Sequence, residues 1–329
     1  MAFKIPLKIC SFVFALFMVY YISWIYNMDI KKYRINIFTR DQIDNEKKLL
    51  ILTTSWKSSI EKQKVHKNTG QLWSLWPGLV QPVAYMEDSE IFRINEKYRE
   101  NMEMLIQHGW FIKPIPKVAC GKVPVLKSMI LDVIKIFKNS DFYGFANSDI
   151  IFNQGLTKTL ESVNKTGVKN GPLLIIGRRT NVNFTDGRTI DRLENVAEVA
   201  KSGSLMKGIA LDYFLTNRHF PWHLLPDLVV GRIHYDNWLV YFAITLNITV
   251  IDATNTVIAV HQTTADGNEA GRKHNNAYCN QKVIAKIGKP FKTRWGYTTC
   301  VPFYTKWNSE SNQVEIAKRN IWKHCHPYG

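Results

Sequence analysis

The sequence predicts an α/β fold, a mostly parallel sheet with helices on both faces, preceded by an N-terminal membrane-spanning helix. Three observations predict it. Apolar runs of strand length, LLILTT at 49–54 and LLIIG at 173–177, lack polar alternation, as expected of strands buried on both faces. Segments with apolar residues at helical spacing lie between such runs. An uncharged, aromatic-rich stretch, ICSFVFALFMVYYISWIY at 9–26, precedes them all.

That stretch of 18 residues makes a helix about 27 Å long, enough for a thin bilayer core. A cleaved signal peptide would be shorter and end in small residues, where Tyr20, Tyr21, Trp24 and Tyr26 stand instead, so it reads as an uncleaved anchor. Flanking charge does not orient it, because Lys4 and Lys8 precede it while Lys31, Lys32 and Arg34 follow. Three glycosylation acceptors beyond the anchor, at Asn164, Asn183 and Asn247, favour a lumenal body. Four cysteines outside the anchor, Cys120, Cys279, Cys300 and Cys325, are an even number, open to two disulfides in an oxidising lumen or to free buried thiols; Cys10 lies within the anchor. The expected organisation is a cytoplasmic tail at 1–8, the anchor at 9–26, a stem at 27–48, a domain at 49–285 and an extension at 286–329 packed on it.

Composition excludes some classes. At 46% hydrophobic and 12% aromatic, without an excess of Gly or Pro, the 329 residues are neither disordered nor fibrous. The net charge is +16, and beyond residue 34 it is +12, from 38 basic and 26 acidic residues. A basic body suits a nucleotide diphosphate, an acidic glycan, a lipid headgroup surface or nucleic acid, and a solvated basic surface explains it as simply. A lumenal location leaves nucleic acid the poorest of these, and no nucleic-acid partner is expected.

Along the body, LVQPVAYM (79–86) is a second strand, and Ile94, Tyr98, Met102, Leu105 and Ile106 mark a helix before a short strand in HGWFIKP. After Pro124, Leu126, Met129, Ile130, Val133, Ile134 and Phe137 share one helical face. DFYGFANSDIIF reads as a strand interrupted by Asn147-Ser148-Asp149. LLIIG ends on Arg178 and Arg179; a helix through Leu193, Val196, Ala197 and Ala200 and a strand in IALDYFL (209–215) follow. YDNWLVYFAITL (235–246) is apolar all round after its first turn and should be a buried helix. VIDAT and VIAVH are two more strands, and the Trp- and Lys-rich tail shows no periodicity. The β-α-β-α-β order predicts the parallel sheet.

Asn147-Ser148-Asp149 ends a buried strand, where open α/β sheets bind ligands and a carboxylate can meet metal and phosphate; the same residues also make an ordinary tight turn. The anchor, stem, α/β body and Asp-x-Asp-like turn together resemble a type II Golgi glycosyltransferase of the GT-A fold. More narrowly, FYGFANSDIIF, LLIIGRRTNV, LDYFL and GRIHYDNWLVYFA, followed by VIDATNTVIAVHQ, resemble a group of nucleotide-diphospho-sugar transferases over roughly residues 49–285.

The resemblance implies a GT-A-like α/β domain that moves a sugar from a nucleotide-diphosphate donor to a glycan, glycoprotein or glycolipid acceptor in the Golgi or endoplasmic reticulum, with the body lumenal. It implies Asp149 as a ligand for Mn²⁺ or Mg²⁺ and His261 as a further one; a lone histidine is otherwise structural. Asn147 stands where the motif has its first carboxylate and brings less charge, which leaves a metal-independent variant open. Arg178, Arg179 and Lys127 would help with the diphosphate, though each also reads as an exposed cation. Asp236 matches the region of an acceptor-side acid and is the candidate general base; an Asp at a helix start is also a cap. Asp212 would face the acceptor pocket, and Trp222 and Trp238 would stack on sugar rings, with core packing the stronger reading for Trp238. Glu87 and Asp88 would touch ribose or base, or lie on the surface. His324-Cys325-His326 is too short for a zinc site. The alternative function is a membrane-anchored glycan-binding scaffold on the same fold, with catalysis lost at Asn147.

Overall fold

A strand apolar on both faces has to lie between two layers of other structure, and β1 (Lys48–Ser55) does. Leu50, Ile51 and Leu52 have no exposed surface, each burial stabilising by about 2 kcal/mol. In the computed structural model, residues 18, 20, 21, 23, 47–57, 59, 61–92, 96–267 and 270–325 are described. The chain divides into Met1–Asp44 and Asn45–Gly329. Apart from the four described positions, which are helical, the expected tail, anchor and stem up to residue 46 lie outside the described residues, as does Ile94. No helix among the described residues is long and apolar enough to cross a membrane.

After β1 come α1 (Gln63–Leu72), β2 (Val80–Met86), α2 (Glu96–Gln107), β3 (Phe111–Pro114), α3 (Leu126–Ile136) and β4 (Ser140–Ala146). β5 (Ile150–Phe152), α4 (Gly155–Asn164), β6 (Leu173–Ile176), β7 (Arg179–Asn183) and α5 (Leu193–Lys201) follow, then β8 (Tyr213–Thr216), α6 (Tyr235–Thr245), β9 (Thr249–Asp252) and β10 (Ala259–Thr263). The described chain closes with α7 (Cys279–Ala285), β11 (Phe303–Trp307) and β12 (Val314–Lys318).

Nine strands form the main sheet in the order β12-β11-β9-β6-β8-β4-β1-β2-β3. Neighbours run parallel except where β8 meets β4 and β6 and where β12 meets β11. The expected mostly parallel α/β sheet is therefore present, with one antiparallel strand at its centre. β6 ends at the carboxyl edge, the chain makes its excursion through β7 and α5 on that side, and β8 re-enters from the same edge, so it runs backwards. Gly177, where the excursion starts, packs against Tyr213, and a Cβ there would stand 1.9 Å from the phenol oxygen.

A second, four-stranded sheet lies at this edge: Ser204–Leu205, β7, β10 and β5 in that order. β10 runs parallel to β7 and antiparallel to β5, with His261 opposite both Asn181 and Ile150. Helix α6 is buried on all sides, as its sequence predicts, by Tyr235, Trp238, Leu239, Val240, Tyr241 and Ala243. Tyr241 stacks on Trp295 at 5.6 Å, and Gly296 permits the approach, since a Cβ there would lie 1.9 Å from the Asn237 carbonyl oxygen.

The C-terminal tail does more than pack on the domain. β11 pairs in parallel with β9 and β12 completes the edge as a hairpin, so residues beyond 286 supply two strands of the main sheet. Strands of five residues with half-exposed faces carry little periodic signal.

The four cysteines pair as Cys120–Cys279 and Cys300–Cys325, with Cα atoms 6.1 and 5.2 Å apart. Their separations of 159 and 25 residues make the first the stronger restraint on the unfolded chain, about 5 against about 3.5 kcal/mol on the loop-entropy account. Urea unfolding should therefore show Cys120→Ser losing more stability than Cys300→Ser, with reductant erasing the difference; equal losses would show that native packing outweighs loop entropy.

Candidate functional site

β1 and β4 lie side by side, and from this pair the chain order runs outward through β2 and β3 on one flank and to later strands on the other. Such a reversal opens a crevice at the carboxyl ends of the two strands. At the end of β4 the chain turns through Asn147, Ser148 and Asp149, closed by the Ile150 N–H donating to the Asn147 carbonyl at 3.0 Å, and passes into β5. The tight turn is thus present, at the carboxyl end of a buried strand.

Register then brings His261 to Asp149. Ile150 stands opposite His261, and the Gln262 N–H donates to the Asp149 carbonyl at 3.0 Å. His261 Nε2 lies 3.5 Å from Asp149 Oδ2. The same oxygen accepts from Lys62 Nζ at 2.7 Å, and Lys62 also lies 3.2 Å from Asp266. Burial alone would raise the Asp149 carboxyl, but the charges of His261 and Lys62 outweigh it and hold it well below the usual carboxylate range. Beside it His66 Nε2 is 3.1 Å from Ser148 Oγ, and burial lowers the His66 imidazole to about 4, so it is neutral at physiological pH.

A second group adjoins the first. β8 runs antiparallel to β4, so Asp212, just before β8, meets Asn147, just after β4: the Asn147 N–H donates to the Asp212 carbonyl at 3.1 Å and Asn147 Nδ2 to Asp212 Oδ1 at 3.0 Å. Arg179, the first residue of β7, pairs with Asp212 through the other carboxylate oxygen. The Tyr235 hydroxyl reaches Asn147 Oδ1 at 3.4 Å. Asp236 stands in the first turn of α6, its Oδ1 accepting the Asn237 N–H at 2.9 Å. Burial, reinforced by the Asp212 charge and opposed by that N–H and by Arg179, raises its carboxyl to about 7. A carboxyl at that value can take up a proton near neutrality.

Six of the expected residues, Asn147, Asp149, Arg179, Asp212, Asp236 and His261, thus lie in linked neighbourhoods. Three do not join them through any described contact. Arg178 donates its backbone N–H to Thr254 and turns its guanidinium to the Met206 carbonyl. Lys127 donates to the Leu225 carbonyl at 2.5 Å and pairs with Asp227 at 3.1 Å. Trp222, expected to offer a face to a sugar, is instead 1% exposed, with its indole N–H donating to Thr216 and its ring against Phe220; a ring closed in on both faces has none to offer. Trp238 is likewise core. Glu87 and Asp88 are exposed at the end of β2.

Sequence reading passed over Lys62, His66 and Asp266. Lys62 is one of two lysines in the stretch between β1 and α1, and no local pattern sets it apart. The set Cys300, His324 and Cys325 has metal-ligand spacing in space, but the two thiols are joined in a disulfide. A cavity of about 420 Å³ opens at the opposite, amino-terminal edge of the sheet, lined by Lys138, Lys169, Arg218 and His219 among others, and shares no residue with the carboxyl-edge cluster.

An Mn²⁺ or Mg²⁺ ion, which the resemblance implies, would have to be held by Asp149 and His261. Asp149 Oδ1, buried without a hydrogen-bond partner among the described residues, is an acceptor available to a ligand. Against this, the Asp149 carboxylate oxygen that lies nearest His261 already holds an ammonium. A divalent ion about 4.5 Å from that ammonium would be repelled by about 7 kcal/mol at an effective dielectric constant of about 20. With Lys62 in place, the residues do not fit a divalent cation.

The raised carboxyl of Asp236 gives a stability signature. The unfolded carboxyl ionises near 4 and the folded one at about 7; between these the folded state binds more protons, so stability falls as pH rises through that window and is level above it. Asp236→Asn should remove this slope, making the variant more stable than the parent by on the order of 2 kcal/mol at pH 8, with partial solvent contact reducing the full value, and equal to it near pH 4. Denaturant titrations at the two pH values test this, and parallel pH profiles would refute the assignment.

No family model and no curated protein matches this chain. Among solved structures, similarity extends to a crystal structure of a mycobacterial protein, at 12% identity over 87% of this chain and 89% of that one, with a TM-score of 0.39. Glucosyl-3-phosphoglycerate synthase from Mycobacterium tuberculosis, in complex with Mn²⁺, uridine diphosphate and phosphoglyceric acid, is similar at 11% identity over 87% and 92%, with a TM-score of 0.40. The same synthase with Mg²⁺ and uridine diphosphate is similar at 10% identity over 87% and 92%, also with a TM-score of 0.40. Likenesses at this level describe a distant similarity of outline, and nothing about this chain's chemistry rests on them.

Proposed function

We propose that this chain is a glycosyltransferase that takes its sugar from a nucleotide diphosphate and delivers it to a hydroxyl of a glycan, glycoprotein or glycolipid. One observation carries the reading: a carboxyl raised to about 7, Asp236, adjoins buried cation–carboxylate pairs at the carboxyl-edge crevice of a mostly parallel sheet. That combination suits a reaction in which one end of the substrate must lose a proton and the other must leave as an anion.

In this reading the acceptor oxygen bonds to the anomeric carbon as the bond from that carbon to the diphosphate oxygen breaks, and the acceptor proton passes to Asp236. Arg179 and Asn147 hold Asp212 and so set the charge that Asp236 feels. The localisation that accompanies the reading is a single-pass type II protein of the Golgi or endoplasmic reticulum with its body in the lumen. Two disulfides agree with an oxidising compartment, and the acceptors Asn183 and Asn247 are exposed.

The test is transfer and donor hydrolysis by the purified full-length chain in detergent with a panel of UDP- and GDP-sugars. Asp236→Asn should lower kcat about 10²- to 10⁴-fold while leaving donor affinity within a few-fold. Failure of every donor to bind the folded protein would remove the reading. In secretory cells, N-glycosidase should shift the protein's mobility, and Asn183→Gln and Asn247→Gln should each shrink that shift; an unglycosylated product would count against the lumenal location.

A further inference from the structure

We propose that Lys62 takes the place of a divalent cation in this site, its ammonium receiving the diphosphate of the nucleotide sugar. The inference rests on the transferase reading above and supplies its leaving-group chemistry.

Position and valence support it first. Lys62 Nζ lies 2.7 Å from Asp149 Oδ2 and 3.2 Å from Asp266 Oδ2, so two of its three N–H donors are engaged among the described residues and the third is left for a further acceptor. Its side chain is 24% exposed, against 9% for Asp149 and 8% for His261. Asp266 is as open as the lysine, at 25%, while Asp149 and His261 are more deeply buried. A phosphate entering the crevice would therefore meet the ammonium before it met the Asp149 carboxylate or the imidazole.

Charge balance supports it second. A two-carboxylate motif matches a divalent ion, but here Asn147 replaces the first carboxylate and donates to Asp212 instead. Asp149 is paired with the Lys62 ammonium, which Asp266 also holds, so a monovalent cation is fixed where it can be shared with a phosphate. The surroundings support it third. Lys62 is the residue before α1, a ten-residue helix that opens without a side-chain cap, so its first N–H groups and positive dipole end start beside the lysine's backbone.

In the transfer, the bond between the anomeric carbon and the diphosphate oxygen breaks with its electron pair leaving on the diphosphate. Lys62 lowers the energy of that charge by a hydrogen bond and keeps its own proton. Asp149 and Asp266 act as positioning residues that hold the ammonium in place. His261 lies against the same Asp149 oxygen.

Thermal unfolding of the full-length chain in detergent with UDP or GDP, in EDTA and again in Mn²⁺, tests the proposal. At least one nucleotide should raise Tm equally in both conditions, and Mn²⁺ alone should give no calorimetric binding signal. Lys62→Met should weaken nucleotide binding at least tenfold, whereas Lys62→Arg, which keeps the charge, should retain most of it in EDTA. A Tm shift that requires Mn²⁺ in the parent chain, or one retained by folded Lys62→Met, overturns the lysine's role and leaves the transferase reading standing. No shift with either nucleotide under either condition overturns both. Should Lys62→Met fail to fold, the parent and Lys62→Arg compared in EDTA and Mn²⁺ decide the matter.

Discussion

A carboxylate removed from water has to be compensated, and the carboxyl edge of this sheet is organised around the one at Asp149. Its side chain keeps 9% of its surface; the lysine that compensates it comes from the loop before α1, and the histidine and the Gln262 backbone contact come from β10. Removing one partner from a buried ion pair costs more than the pair contributes, because the remaining charge is stranded. The cluster therefore constrains the loop before α1, the turn after β4 and the strand β10 to stay together.

Two pairing registers make that arrangement possible. β5 against β10 sets Asp149 beside His261, and β8 against β4 sets Asp212 beside Asn147. A one-residue slip in either ladder would turn the relevant side chain to the opposite face. The antiparallel entry of β8 matters for the same reason: a parallel strand would have started at the far edge and carried Asp212 away from Asn147. α6, fixed by burial on all sides and by the close approach at Gly296, then presents Asp236 beside the Asp212–Arg179 pair.

Asp149 and Asp236 illustrate how environment divides the work of two carboxyl groups of the same kind. Both lose hydration, which favours the neutral acid. At Asp149 the neighbouring His261 and Lys62 reverse that effect, while at Asp236 a nearby carboxylate reinforces it. One is thereby kept as a fixed anion and the other as a group able to change its charge near neutrality.

By itself the amino-acid sequence determined the elements that depend on local pattern: the unalternating strands at 49–54 and 173–176, the amphipathic helix after Pro124, the all-round apolar helix at 235–245 and the polar turn at 147–149. These could be read because apolar burial leaves its period in the chain. The strand end drew attention to Asp149, but the roles of Asp149, Asp212, Asp236 and His261 came from the resemblance of their segments to nucleotide-diphospho-sugar transferases and not from the pattern. Only the tertiary structure decided the antiparallel course of β8, the entry of the C-terminal hairpin into the main sheet, the pairing of four cysteines, the enclosure of Trp222 and the place of Lys62 on Asp149. Each of these is a contact between segments far apart in sequence, and a lysine in a polar loop looks the same whether it faces water or a buried carboxylate 87 residues away.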